Sequence, residues 1–244
     1  MKIIKFVKNN KIRILFLFIV LGVIYFNTID DYNLHKNPNE EKYNVILEWF
    51  NNFSDKHNIN YTLAYGTLLG YVRNKKYIPY DMDMDLLIGK DDAYKIIDLI
   101  DNKQILYNVD IKNIGGLNKN KIYIIINKSH NNEDMDESNL IKRPRHNCKG
   151  DKVDSQVDSC SQNILFSRVI YNNVHCDLCV YGEDEYIPTD KGINLPETKK
   201  VKFNNITTKI FKSDEFIHDY LIKQYGKDYL IPNHEYINGK WTKI

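Results

Sequence analysis

The sequence has little excess charge of either sign. Lysine and arginine number 34 and aspartate and glutamate 32, for a net charge of +2, so bulk electrostatics predict no nucleic-acid partner. There are no internal repeats, hence no solenoid or propeller. No serine or cysteine stands out as a nucleophile. Cysteines are few: Cys148, Cys160, Cys176 and Cys179. What remains is ordinary globular material, 244 residues with 43% hydrophobic and 27% charged. That is enough for one domain with a full core after an N-terminal segment is set aside.

That segment begins with Lys2, Lys5, Lys8, Lys11 and Arg13, followed by an uncharged run from Ile14 to Ile29. A basic flank before an apolar run is retained in the cytosol. No small-x-small cleavage pattern follows, so an uncleaved signal anchor is the favoured reading. The h-region of a cleaved signal and a buried core helix are the alternatives, because the run is short for a spanning helix. The anchored reading divides the chain into a cytosolic basic tail (1–13), a signal-anchor transmembrane helix (14–29), a polar stem (30–39) and a catalytic domain (40–244). It predicts a single-pass type II membrane protein whose domain faces a Golgi or ER lumen, or sits in a host membrane if the chain is virus-encoded.

An even cysteine count in such a compartment is compatible with disulfides. Cys148 and Cys160 flank a polar loop that a bond would staple by roughly 3 kcal/mol. Cys176 and Cys179 lie three apart on an expected strand and point to opposite faces, which disfavours their pairing. A structural Zn²⁺ held by all four, and free thiols, are the other readings. Asn52, Asn60, Asn127 and Asn205 head glycosylation sequons.

The most informative stretch runs from Tyr65 to Leu86. Asp81, Asp83 and Asp85 alternate with Met82, Met84 and Leu86. On a strand this puts three carboxylates on one face, about 6.6 to 7 Å apart. Such a ladder repels itself, and partial burial sharpens the conflict. A divalent cation relieves it, and oxygen ligands favour Mg²⁺ or Mn²⁺. Just upstream, Gly66 and Gly70 offer a small-residue turn where backbone N–H groups can approach a phosphate. Thr67 lies in that turn, and Arg73 follows as a forked positive charge. The alternative for the acidic strand is an exposed edge guarded by charge, although edges are usually guarded by lysine.

Gly66-Thr67-Leu68-Leu69-Gly70, then Arg73, then Ile78-Pro79-Tyr80-Asp81-x-Asp83-x-Asp85 resembles the signature of the LicD/fukutin family. Tyr80 stands where that family usually has tryptophan. The resemblance implies a nucleotidyltransferase-like fold, α/β or α+β, with a mixed sheet and flanking helices. It also implies transfer of a phospho-group, such as phosphocholine or ribitol phosphate, from a CDP-linked donor to a glycan. In that reading Asp83, Asp85 and Asp177 hold Mg²⁺ or Mn²⁺ and Asp81 supports them. Gly66, Thr67 and Gly70 cradle donor phosphate, Arg73 neutralises the leaving nucleotide, and Asp177 is the favoured proton acceptor. Asp177 matches the family's third acidic position, and some members are thought to carry a zinc site. Tyr225-Gly226-Lys227-Asp228 and Pro232 resemble the closing motif.

Elsewhere, Tyr43, Ile46, Leu47, Phe50 and Phe53 recur at helical spacing within Glu40–His57. Tyr61–Tyr65 reads as a strand, and Asp91 caps a helix running to about Asn102. Strands are expected near 106–112 and 121–127. Residues 129–158 form a long polar loop in which Arg143, Arg145 and His146 are either solvated or a basic lid. Asn172-Asn173 predicts a tight hairpin between Ile164–Tyr171 and Val174–Tyr181. Val201–Phe211 reads as another strand or hairpin, and Ser213 to Gly226 as a capped helix.

Overall fold

The computed structural model describes residues 36–101, 109–110, 121–126, 145–147, 152–158, 161, 166–182, 193–237 and 240–243. The basic tail, the apolar run, Arg143, Cys148 and Cys160 lie outside the described residues, and with them the signal-anchor, disulfide and four-cysteine zinc readings. No helix among the described residues is long and apolar enough to cross a membrane.

The first helix, α1 (Glu40–Lys56), has Glu40 and Glu41 in its first turn and Lys56 in its last, each complementing the helix dipole. Its expected stripe of Tyr43, Ile46, Leu47, Phe50 and Phe53 is buried, joined by Trp49 stacked on Phe53. Asn37, assigned above to the stem, belongs to the domain. It is 1% exposed, and its amide donates to the carbonyls of Ile78 at 2.8 Å and Asp81 at 3.0 Å.

Strand β1 (Tyr61–Leu63) runs directly into helix α2 (Tyr65–Asn74). Strand β2 (Met84–Ile88) follows, then helix α3 (Lys90–Asp101). Asp91 is not the cap of α3. The helix starts one residue earlier, with the Ala93 amide on the carbonyl of Gly89, and Asn194 exchanges hydrogen bonds with Asp91 in the first turn. Strands β3 (Val109–Asp110) and β4 (Lys121–Ile126) match two expected strands. The expected long loop contains a short pairing of β5 (Arg145–His146) with β6 (Lys152–Val153).

Strands β7 (Ser167–Tyr171) and β8 (Val174–Val180) form the predicted hairpin. Asn172 and Asn173 both take positive φ, 43° and 67°, as a type I′ turn requires. A second such turn, Asn204-Asn205 with φ of 46° and 68°, joins β9 (Thr198–Phe203) to β10 (Ile206–Phe211). Helix α4 (Asp214–Tyr225) starts where Ser213 accepts from the Phe216 amide at 3.1 Å, and ends at Gly226. A last hairpin pairs β11 (His234–Ile237) with β12 (Lys240–Lys243).

The main sheet has the strand order β1-β2-β8-β7-β4-β3. It is mixed: β2 and β8 are parallel and the other neighbours antiparallel. Helix α1 and the β9–β10 hairpin cover one part of it, through Phe50 against Tyr61 and the Tyr61 hydroxyl at 3.0 Å from Thr208 Oγ1. This is the mixed sheet with packed helices that the sequence predicts.

Candidate active site

The parallel pair β2–β8 builds the site. Met84 is opposite Cys176 and Asp85 opposite Asp177. In-register parallel neighbours project to the same face about 4.8 Å apart. One step upstream, Asp83 falls opposite His175. Two rungs therefore cross the strands on one face, Asp83–His175 and Asp85–Asp177. The hairpin extends the second rung, because Arg168 on β7 is opposite Asp177. Arg168 Nε and Nη2 donate to the two Asp177 oxygens at 2.5 and 2.7 Å. Arg168 is 2% exposed, His175 4% and Asp177 8%.

One oxygen each from Asp83 and Asp177 and one nitrogen of His175 lie within 4.8 Å of one another. Of the expected trio Asp83, Asp85 and Asp177, the structure draws Asp83 and Asp177 into this cluster. It adds His175 as a donor, with Asp85 on the adjacent position of the same face.

Charge in this cluster is under-compensated. Burial, then repulsion from Asp83, Asp177 and Asp81, pushes the Asp85 carboxyl well above its usual range, with Arg168 opposing. Burial and neighbouring Asp83 raise Asp81 to about 7. Burial holds His175 below its ordinary value despite the pull of Asp177, which favours the neutral imidazole that can ligate a metal. Two carboxylates beside an imidazole, with two further acids crowded on the same face, form a donor set suited to a divalent cation.

The four residues expected to bind phosphate each make structural contacts around the acids. A Cβ on Gly66 would sit 2.7 Å from Asp81 Oδ2, so the missing side chain lets that carboxyl lie against the start of α2. A Cβ on Gly70 would collide with the carbonyl oxygen of Lys76, so this glycine serves a tight backbone crossing. The hydroxyl of Thr67, 2% exposed, accepts from the Asp85 amide at 3.0 Å. Arg73 holds the closing segment: Nε donates to the Tyr229 carbonyl at 2.8 Å and Nη2 to those of Tyr229 and Ile231. It docks the closing segment onto the end of α2. Gly66, Thr67, Gly70 and Arg73 thus help position the acidic strand and its rim, and Gly66 and Thr67 fall in the first turn of α2, where backbone N–H groups point out of the helix.

Backbone strain brackets the acids. Tyr65 and Tyr80 take φ of 41° and 61°, unusual for aromatic residues and typical of functional sites. The Asn37 amide and the Tyr43 hydroxyl hold the loop after Tyr80 by the Asp81 carbonyl, and Tyr80 stacks on Tyr236 at 5.1 Å. Partial burial and the charges of Asp85, Asp81 and Asp83 raise the Tyr225 phenol, which puts the closing motif within the field of the acids. Met82, Leu230 and Ile231 are exposed apolar residues.

Sequence reasoning missed Arg168, Asn37 and the ligand geometry of His175. A signal existed for two of them. Arg168 is the one charge in the apolar run Ile164–Tyr171, and His175 shares the Asp177 face by alternation.

Residues 58–145 match the family model described as LicD/FKTN/FKRP, nucleotidyltransferase domain. A stretch of 54 residues is 35% identical to the lipopolysaccharide cholinephosphotransferase LicD of Haemophilus influenzae, covering 22% of this chain and 20% of that protein. The chain thus matches about a fifth of the relative's own length. The family match contains Asp81, Asp83 and Asp85, whereas Arg168, His175 and Asp177 lie beyond it.

Proposed function

We propose, for a chain that belongs to the LicD family through residues 58–145, a cation-assisted transfer of a phospho-group such as phosphocholine or ribitol phosphate. The donor is CDP-linked and the acceptor is a hydroxyl of a glycan or glycoconjugate. The observation that carries this reading is the pair of rungs Asp83–His175 and Asp85–Asp177, which gathers carboxylates from two parallel strands on one face. Phosphoryl transfer depends mostly on positioning and on neutralising charge, and this face supplies both.

Bound Mg²⁺ or Mn²⁺, held by Asp83 and Asp177 with Asp85 beside them, would neutralise charge on the donor's diphosphate. The chain's residues do the rest. Arg168 fixes both Asp177 oxygens in one orientation. Thr67 and Gly66 set Asp85 and Asp81 on the face. The acceptor oxygen attacks phosphorus, the bond to the nucleotide breaks, and CMP departs with the electron pair. The acceptor's proton passes to a carboxylate. Asp85, beside the cation's ligands on the same face, suits that role better than Asp177, whose two oxygens are engaged by Arg168. The apolar run 14–29 behind a basic tail supports an anchored domain on the lumenal side of a membrane.

The test is calorimetric titration of the full chain with CDP-choline, CDP-ribitol, CDP-glycerol, CTP and UTP in Mg²⁺ or Mn²⁺, repeated on Asp83→Ala with Asp85→Ala. One CDP-linked donor should bind only with metal and not to the double variant, and an accepting glycan should gain the mass of the phospho-group. A product heavier by a whole nucleotide would move the reading to nucleotide transfer. A folded chain that binds none of these ligands would leave a non-catalytic scaffold.

A further inference from the structure

We propose that His175 is a nitrogen ligand of the cation, so that the site selects a divalent transition metal such as Mn²⁺ over Mg²⁺. The proposal rests on the cation-assisted reading above and adds which class of ion the chain is built for.

Three features carry it. His175 is placed by sheet register, one residue beyond the Met84–Cys176 pair, and so stands across from Asp83. One of its ring nitrogens lies within 4.8 Å of an oxygen of each of Asp83 and Asp177. Ligands of an octahedral ion with bonds of about 2.1 Å are roughly 3.0 Å apart when adjacent and roughly 4.2 Å when opposite, so side-chain rotation that draws these three atoms together closes the cluster on one ion. The second feature is burial. At 4% exposure, the ring holds its polar edge among carboxylates and not in bulk water. A histidine serving only as core filling would gain more from an apolar wall.

The third feature is the composition of the donor set. Cys176, adjacent in sequence, faces the other side of β8 and is fully buried, so no thiolate joins. Arg168 donates one hydrogen bond to each Asp177 oxygen, and a carboxylate oxygen carries a second lone pair with which it can ligate an ion. Two carboxylates and one imidazole result. Mg²⁺ prefers oxygen throughout, while an imidazole nitrogen shifts preference toward Mn²⁺, Fe²⁺ and later ions of the series.

The test uses the full chain loaded with Mn²⁺. Pulsed electron paramagnetic resonance should show modulation from a directly bonded imidazole nitrogen, a readout that needs no variant and no turnover. Calorimetry should show Mn²⁺ binding more tightly than Mg²⁺ by about tenfold or more. His175→Phe should lose the nitrogen modulation and most of the Mn²⁺ advantage, and His175→Asp should bring Mg²⁺ up to parity. Mn²⁺ bound without nitrogen modulation, or the same ion preference in folded His175→Phe, overturns the assignment of His175 alone. No binding of either ion to folded wild-type protein overturns the cation reading as well.

Discussion

Two hairpins in this chain turn on the same dipeptide and differ in nearly everything else. Asn172-Asn173 joins β7 to β8, and Asn204-Asn205 joins β9 to β10, with φ values that agree within about 3° at each position. In the first, both strands are buried along their whole length and carry Arg168, His175 and Asp177. The second alternates buried and open positions and carries Lys199, Lys200, Lys202 and Lys209. The turn sets register in both, but the surroundings decide what a charge on the strand costs. In β7–β8 an ion must be matched by a partner or excluded. In β9–β10 water does most of the matching, and the ion pairs of Lys200 and Lys209 with Asp55 are 3.4 Å apart at a carboxylate 56% exposed.

The widest separation between the two should appear when one ion of a pair is removed. Arg168→Ala leaves Asp177 buried without its bidentate partner, and should cost about 3–5 kcal/mol in urea unfolding. Replacing both partners, Arg168→Met with Asp177→Leu, should recover most of that stability while cation binding is lost. A double variant as unstable as the single would show that Arg168 acts through contacts other than Asp177.

The acids packed beside the two hairpins should also respond oppositely to pH. The folded-state value of Asp81 is about 7 and that of Asp85 is also raised, while an unfolded aspartate titrates near 4. Between those limits the folded chain holds protons that the unfolded chain has released, so stability falls as pH rises through the window. Asp214, beside β9–β10, is held below its usual range by a hydrogen bond from Lys199 and that lysine's charge. Its contribution is present above the unfolded value and is lost as pH falls through the folded one. Because Asp214 is fully exposed, the acidic rungs should dominate. Metal-free protein should unfold at lower urea at about pH 7.5 than at about pH 5, and Mn²⁺ should remove most of the difference. A flat metal-free profile would mean that the acids on the rungs do not oppose one another.

What could be read without coordinates follows the same division. The asparagine turns, the α1 stripe, the Ser213 cap and the alternation of Asp81, Asp83 and Asp85 are local, and periodicity or turn chemistry exposes them. The roles of Gly66, Gly70, Thr67 and Arg73 were not legible. A glycine records that something comes close, but not whether it is a phosphate, the Asp81 carboxyl or the Lys76 carbonyl. Arg73 was equally mute, since its target at Tyr229 and Ile231 lies more than 150 residues away. Asn37 read as stem because polar composition resembles a linker until burial shows what it holds. The strand carrying Asp177 was legible, and the register that sets His175 beside Asp83 was not.

Substitutions at the second turn position should erase the contrast between the hairpins. Asn173→Gly and Asn205→Gly relieve the same left-handed backbone, and each should gain a few tenths of a kcal/mol. Alanine at either position should cost about 1 kcal/mol. Equal shifts in thermal or urea unfolding would confirm that the turns are interchangeable. A larger loss at Asn173 would tie that turn to the ligand rungs.

The smallest effect should come from Lys209→Ala. Its ammonium is 3.4 Å from Asp55 and 5.2 Å from the centre of the Tyr61 ring. The side chain is 15% exposed but its carboxylate partner is 56% exposed, so water and salt already weaken the pair. The expected loss is under about 1 kcal/mol. The wild type should itself surrender the ion-pair share of that loss in about 1 M NaCl, where screening acts within a few ångströms. Whatever difference persists in high salt belongs to burial of the Lys209 side chain and to the ring contact. A loss approaching that of Arg168→Ala would mean that β9–β10 is as dry as β7–β8, and the contrast between the two hairpins would fail.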